Sequence, residues 1–266
     1  MFIWQKRNFL NDRILKNLMN IRYERLILKL VKLRIRFERL RKLVYLRPAI
    51  NANYDIRITF FSKCIVVIDS SLLILMYCDK YLSNKNNKRV WKIIADQYSL
   101  AAPPVEGHIP IIDGLNQFNS MAFFHLIFSS FESSIRQIVK SIFSTLYSQK
   151  SYTFDGLLKE FLRELRIFGY AKFVKLISLV RNTIHNNGVY SPTFRKDRKS
   201  GQLIQKNTQV TWNKKSYKFI VNKPVTFINA WTFELLITDE LLKMTKKIIL
   251  HNKVILKSRI VDPFVS

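Results

Sequence analysis

Apolar residues recur every three to four positions along most of this chain and every second position in one short stretch, so helices joined by a single hairpin are the expected elements. In residues 21–46, Leu26, Leu30, Leu33, Phe37, Leu40 and Val44 form a stripe at steps of 4, 3, 4, 3 and 4. Arg25, Lys29, Lys32, Arg36 and Arg39 lie beside or opposite it, and Pro48 closes the helix. A strongly apolar helix is expected over 59–82, stopped by the polar run 83–87, with a short helix at 88–98. Pro103, Pro104 and Pro110 mark 101–110 as a linker. A long helix follows over about 116–147, with Phe124, Phe128, Phe131, Ile135, Ile138 and Ile142 among its apolar positions. Thr153 reads as the N-cap of a helix that continues to Phe168 and breaks at Gly169. Residues 171–186 form the next, stopped by Asn187-Gly188 as a left-handed C-cap. Thr208, Val210 and Trp212, then Tyr217, Phe219 and Val221, alternate around 213–216 as a hairpin. A last helix covers about 225–250, and a loosely held tail follows over 251–266.

Composition adds a partner class. The 266 residues are 48% hydrophobic, ample for a core, and six Gly and seven Pro are too few for a turn-rich all-β chain. Lys and Arg number 45 against 18 Asp and Glu, a formal charge of +27. Residues 1–48 carry net +11 and residues 191–223 net +8, about 70% of the excess. A polyanion is the expected partner, either a nucleic acid or an anionic membrane face.

Three readings of the basic helix at 21–46 stand side by side: docking on the bundle with its cations in water, a short coiled coil with a second copy, and a nucleic-acid or membrane-surface arm. Residues 60–78 tempt as a membrane span. Lys63 and Asp69 lie inside that stretch, and each would cost roughly 3 kcal/mol at mid-bilayer, so a core helix is expected. The N-terminus lacks the pattern of a signal peptide. Cys64 and Cys78 are too far apart on one helix to bridge, and two thiols suit a reducing, cytoplasmic setting. No zinc spacing, glycine-rich phosphate loop or GxSxG elbow is present, and no metal or cofactor is expected.

The octapeptide 181–188, Arg-Asn-Thr-Ile-His-Asn-Asn-Gly, carries the candidate chemistry. On a helix Arg181 and His185 stand one turn apart on one face. An arginine grips phosphate with a two-donor fork, and a histidine moves protons near neutral pH. Together they are a minimal kit for cleaving RNA. The last helical turn favours a cationic imidazole, which would suit a general acid.

This octapeptide resembles the RN…H signature of the HEPN superfamily. Residues 124–139 look like an early HEPN helix, with Phe131, Glu132 and Arg136 in its Phe-Glu-x-x-x-Arg pattern, and residues 157–188 look like the later helix pair. The resemblance covers about 59–190 plus the final helix. It implies a mainly α HEPN-like helical bundle over 49–250; the basic helical extension at 1–48 and the β-hairpin insert at about 203–222 before the last helix fall outside the resemblance. It also implies a homodimer, RNA as partner, and metal-independent RNA cleavage of defence or toxin type, with an antitoxin or other protein as a further partner. Arg181 and His185 would be catalytic, with Asn182, Glu132, Arg136 and Asn186 in support. Three residues separate Arg181 from His185, one fewer than the family's shortest common spacing. Lys196, Arg198, Lys199, Lys214 and Lys215 are the candidate nucleic-acid contacts from the second basic segment. A membrane surface is the less expected partner.

Plainer readings compete. Arg181 could pair with Glu132 and buttress two helices, and His185 could bond a free carbonyl. Asn186-Asn187-Gly188 is foremost a helix stop. His125, Ser129, Glu132 and Arg136 form a polar stripe at steps of 4, 3 and 4 that needs partners, either around the RN…H turn or in a structural network. The same bundle without catalysis would be a dimerising, RNA- or protein-binding module.

Overall fold

The computed structural model describes residues 21–47, 54–78, 108–150, 153–196, 201–229 and 231–263. Helices dominate them, with a small antiparallel hairpin before the long C-terminal helix. The short helix expected at 88–98 lies outside the described residues.

Helix α1 (Ile21–Tyr45) docks on the bundle, as the plainest of its three readings had it. It buries Tyr23, Ile27, Leu30, Leu33, Phe37 and Val44, while Leu26 and Leu40 sit at the margin of the core. Helix α2 (Ile56–Tyr77) runs antiparallel to α1, with Arg41 donating to Ser62 and Arg34 to Asp69. By length and composition α2 could cross a membrane; it packs between α1 and the next long helix. Lys63 and Asp69 within it both find partners, Asp69 with Arg34 at 2.6 Å and Lys63 with Asp262 at 2.7 Å. Cys64 and Cys78 are buried and form no disulfide.

Helix α3 (His108–Ile142) starts well before the expected 116. Pro110 does not block it, because first-turn N–H groups have no intrahelical acceptor to lose. Phe143 interrupts the run before α4 (Ser144–Lys150). Helix α5 (Phe154–Glu164) follows Thr153, whose backbone is extended but whose side chain makes no capping bond. It ends short of Phe168. Arg166 takes the left-handed conformation at φ 53°, and Ile167 N–H bonds the Leu162 carbonyl, closing the helix without a glycine.

Helix α6 (Ala171–His185) ends as expected. Asn187 and Gly188 have φ of 53° and 84°; their N–H groups bond the carbonyls of Ile184 and Thr183, which is the Schellman pattern. Strands β1 (Arg195–Lys196) and β2 (Leu203–Ile204) form a minimal ladder that the alternation did not announce. Strands β3 (Thr208–Trp212) and β4 (Lys215–Phe219) form the hairpin. Its connection is tighter than 213–216: Trp212 pairs with Lys215, and Asn213 and Lys214 both adopt positive φ, as a two-residue type I′ turn requires. The hairpin aromatics face inward. Trp212 packs on Phe173 at 5.2 Å, and Tyr217 on Phe227 at 5.2 Å.

A 3₁₀ turn (Thr226–Asn229) leads into α7 (Trp231–Ile249), and α8 (Asn252–Ile255) follows. The tail is not loose. Val254, Ile255, Ile260 and Asp262 are buried, and Asp55 bridges to Val261. Arg57, fully buried on α2, donates to the carbonyls of Val254, Lys257 and Ser258 and to both Asp55 carboxylate oxygens. Buried backbone carbonyls need donors, and Arg57 supplies them across 200 residues of sequence, beyond the reach of any local pattern.

Candidate functional site

Helix α6 sorts its residues by face. Phe173, Val174, Leu176, Ile177, Val180 and Thr183 are buried. On the opposite side Lys175, Ser178, Arg181, Asn182, His185 and Asn186 follow one another at helical spacing and line a cleft of about 680 Å³. The far wall is built by residues 190–193 and by Lys206 and Thr208. The Gly188–Tyr190 segment is tied to 222–225 through backbone bonds, and the Tyr190 hydroxyl lies 2.9 Å from that of Thr208. These contacts hold the base of the hairpin over the C-terminal half of α6.

A second recess of about 320 Å³ adjoins this cleft and shares Asp155, Ser178, Arg181 and Asn182 with it. Its other walls include Phe128, Glu132, Arg136 and Phe154. The polar stripe of α3 therefore faces the α6 terminus. Glu132 accepts from Arg136 at 2.8 Å through one oxygen and lies 3.7 Å from the Arg181 guanidinium through the other. Arg136 also lies over the Phe154 ring. His125 meets His185 edge to face, with ring centroids 4.7 Å apart, and its buried Nδ1 has no hydrogen-bond partner. Arg181 contacts Glu132 only loosely and donates to the neighbouring Asn182 side chain at 3.1 Å, leaving most of its fork open.

The imidazole of His185 titrates below its ordinary value. Partial burial contributes most, followed by the Arg181 charge and His125, with Glu132 pulling the other way. The helix terminus was expected to favour the cation. Lost hydration and the neighbouring Arg181 and His125 outweigh that dipole, so the neutral imidazole is favoured and the proton-accepting role suits it better. No carbonyl bond from His185 stands among the described residues; backbone N–H groups already satisfy the helix end.

Of the expected site residues, Arg181, His185, Asn182 and Asn186 come together in the cleft, with Glu132 and Arg136 adjoining it through the recess. Lys214 and Lys215 do not line it; they are exposed at the hairpin tip, the end away from Thr208. Lys196 is exposed on β1, and Arg198 and Lys199 lie outside the described residues. Lys175 and Ser178 were missed, although they fall on the helical step that joins Arg181 to His185. Lys206, Thr208 and Tyr190 come from a different segment, and no local spacing points to them. Among the described residues, no group of three His, Cys, Asp or Glu gathers as a metal site.

Fold and cleft define a mainly helical protein with a cationic pocket bearing an arginine and a histidine. Comparison of the chain with protein-family models, curated proteins and solved structures finds no match.

Proposed function

We propose that this is a HEPN-like RNA-associated protein: a metal-independent endoribonuclease of defence or toxin type, acting as a dimer. The observation that supports the reading is that Arg181 and His185, one turn apart, open into one cleft whose rim carries Lys175 and Lys206. In the reaction, neutral His185 takes the proton of a ribose 2′-hydroxyl, and that oxygen attacks the adjacent phosphorus. Arg181 stabilises the negative charge gathering on the phosphoryl oxygens. The 5′ oxygen leaves with a proton from solvent, so the products are a 2′,3′-cyclic phosphate and a 5′-hydroxyl.

One observation favours a second reading, a non-catalytic RNA-binding module: Glu132 approaches Arg181 and offsets part of its charge. Incubation with RNA in EDTA separates the two. The nuclease reading expects cleavage that His185→Ala reduces at least about 100-fold, the low end for a lost general base, with circular dichroism unchanged. Binding without turnover supports the module. Cleavage that survives His185→Ala removes the nuclease assignment. Sedimentation of the wild type tests the dimer.

A further inference from the structure

Docking α1 on the bundle sets two groups of its cations apart. On the flank toward α2 each has a carboxylate: Arg34 pairs with Asp69, and Arg41 with Glu38. On the outer face Arg25, Lys29, Lys32, Arg36 and Arg39 follow at steps of 4, 3, 4 and 3, one cation per helical turn over roughly 21 Å. Arg25, Lys29, Lys32 and Arg39 are exposed, while Arg36 meets an acid, Asp239 of α7. The two acids of α1, Glu24 and Glu38, lie off this face. Like charges one turn apart repel, so the row opposes the helix that carries it unless an anion lies along it.

We infer that this row is a track for an RNA phosphate backbone, separate from the α6 cleft. The inference rests on RNA as the partner but not on catalysis. A backbone supplies the evenly repeated anions that such a row matches, and phosphate contacts need no pocket for a base. The groove beside it, about 350 Å³ between α1 and α7, has Leu33, Leu235 and Leu236 in its walls and no aromatic side chain on which a base would stack. A membrane surface fits less well. Interfacial helices bind by sinking an apolar face into lipid, and the apolar face of α1, with Leu30 and Phe37 fully buried, is already spent on the core.

The test measures binding of a labelled oligouridine with 2′-O-methyl sugars, which cannot be cleaved, between roughly 50 and 200 mM salt. The combined variant Arg25→Gln, Lys29→Gln, Lys32→Gln and Arg39→Gln is expected to bind at least about tenfold more weakly. It should flatten the log–log salt slope by up to about 3, at roughly 0.7 for each phosphate that is no longer neutralised. A control removing four exposed cations elsewhere, Lys140, Lys172, Lys257 and Arg259, should keep affinity and slope. Equal losses in both variants, or none in the first, overturn the track. Association with anionic phosphatidylserine vesicles that depends on the row, without RNA binding, overturns it in favour of a membrane. His185→Ala measured alongside keeps the readings apart: it tests cleavage of unmodified RNA and leaves the track's salt slope untouched.

Discussion

Two arginines show how the fold separates structure from chemistry. Arg57 is fully buried, and all five of its N–H donors are used, on Asp55 and on three tail carbonyls. Arg181 is partly exposed, lies 3.7 Å from Glu132, donates to a neighbouring amide and keeps the rest of its fork toward a cleft. The first is committed to the protein and has nothing to offer a ligand. The second is held just firmly enough to point. Burial and the fraction of donors satisfied, not the residue type, separate the two roles.

The sharpest way to break this comparison is to remove the committed arginine. Arg57→Met leaves the Asp55 carboxylate buried without its cation and three carbonyls without donors, so it should cost about 3–5 kcal/mol in urea unfolding. A loss under about 1 kcal/mol would mean that the tail is not held by this residue. Glu234 of α7 supplies the opposite case, a buried carboxyl with no cation. Burial pushes its pKa up from 4.5 to about 9, with the nearby Ser120 hydroxyl pulling the other way. Between those values the folded chain keeps a proton that the unfolded chain has released, so stability falls as pH rises through the window. Glu234→Gln does not titrate. Its stability should gain on the wild type progressively from pH 5 to pH 8, reaching about 3 kcal/mol of relief at pH 7. A difference that does not change with pH would show that the carboxyl is ionised throughout.

The same contrast explains what could be read from the sequence. The α1 stripe, the α6 stop at Asn187-Gly188 and the presence of the hairpin follow from local spacing, and each is found in the fold. The errors share one cause. Arg166 ends α5 in a left-handed conformation that glycine usually marks, and Pro110 reads as a barrier although a first turn tolerates it. The Arg57 clamp joins residues 200 positions apart, so the tail looks free from local spacing alone. At the cleft, Arg181, Asn182 and His185 are legible because one helix carries them. Lys206 and Thr208 are not, because only the folded path of 190–208 brings them across.

Removing the open arginine is expected to invert the Arg57 result. Arg181→Ala should change unfolding free energy by less than about 1 kcal/mol, as for other exposed ion pairs. RNA cleavage should fall about 100-fold or more, the usual cost of losing a donor to a developing anion. A variant that unfolds easily would place Arg181 with Arg57 among the structural arginines. The pH profile of the wild type then tests the partner residue. Because burial, Arg181 and His125 lower the His185 pKa, the acid limb of kcat/KM should lie below the ordinary imidazole value of about 6.5. Activity that instead falls as pH rises through the imidazole range would show that the cationic form is the working one.

The smallest effect is expected at the hairpin, where distance alone decides. Lys206 lines the cleft beside Thr208, whereas Lys215 pairs with Trp212, four residues beyond Thr208 and roughly 13 Å from it, and Lys214 lies in the turn past that pair. At physiological salt, charges beyond about 8 Å are largely screened. Lys206→Gln should therefore raise the KM for RNA several-fold, while Lys214→Gln with Lys215→Gln should change it by less than about twofold. If the tip lysines matter as much as Lys206, the RNA follows the hairpin to its end, and the cleft is only the part of the contact surface nearest Arg181.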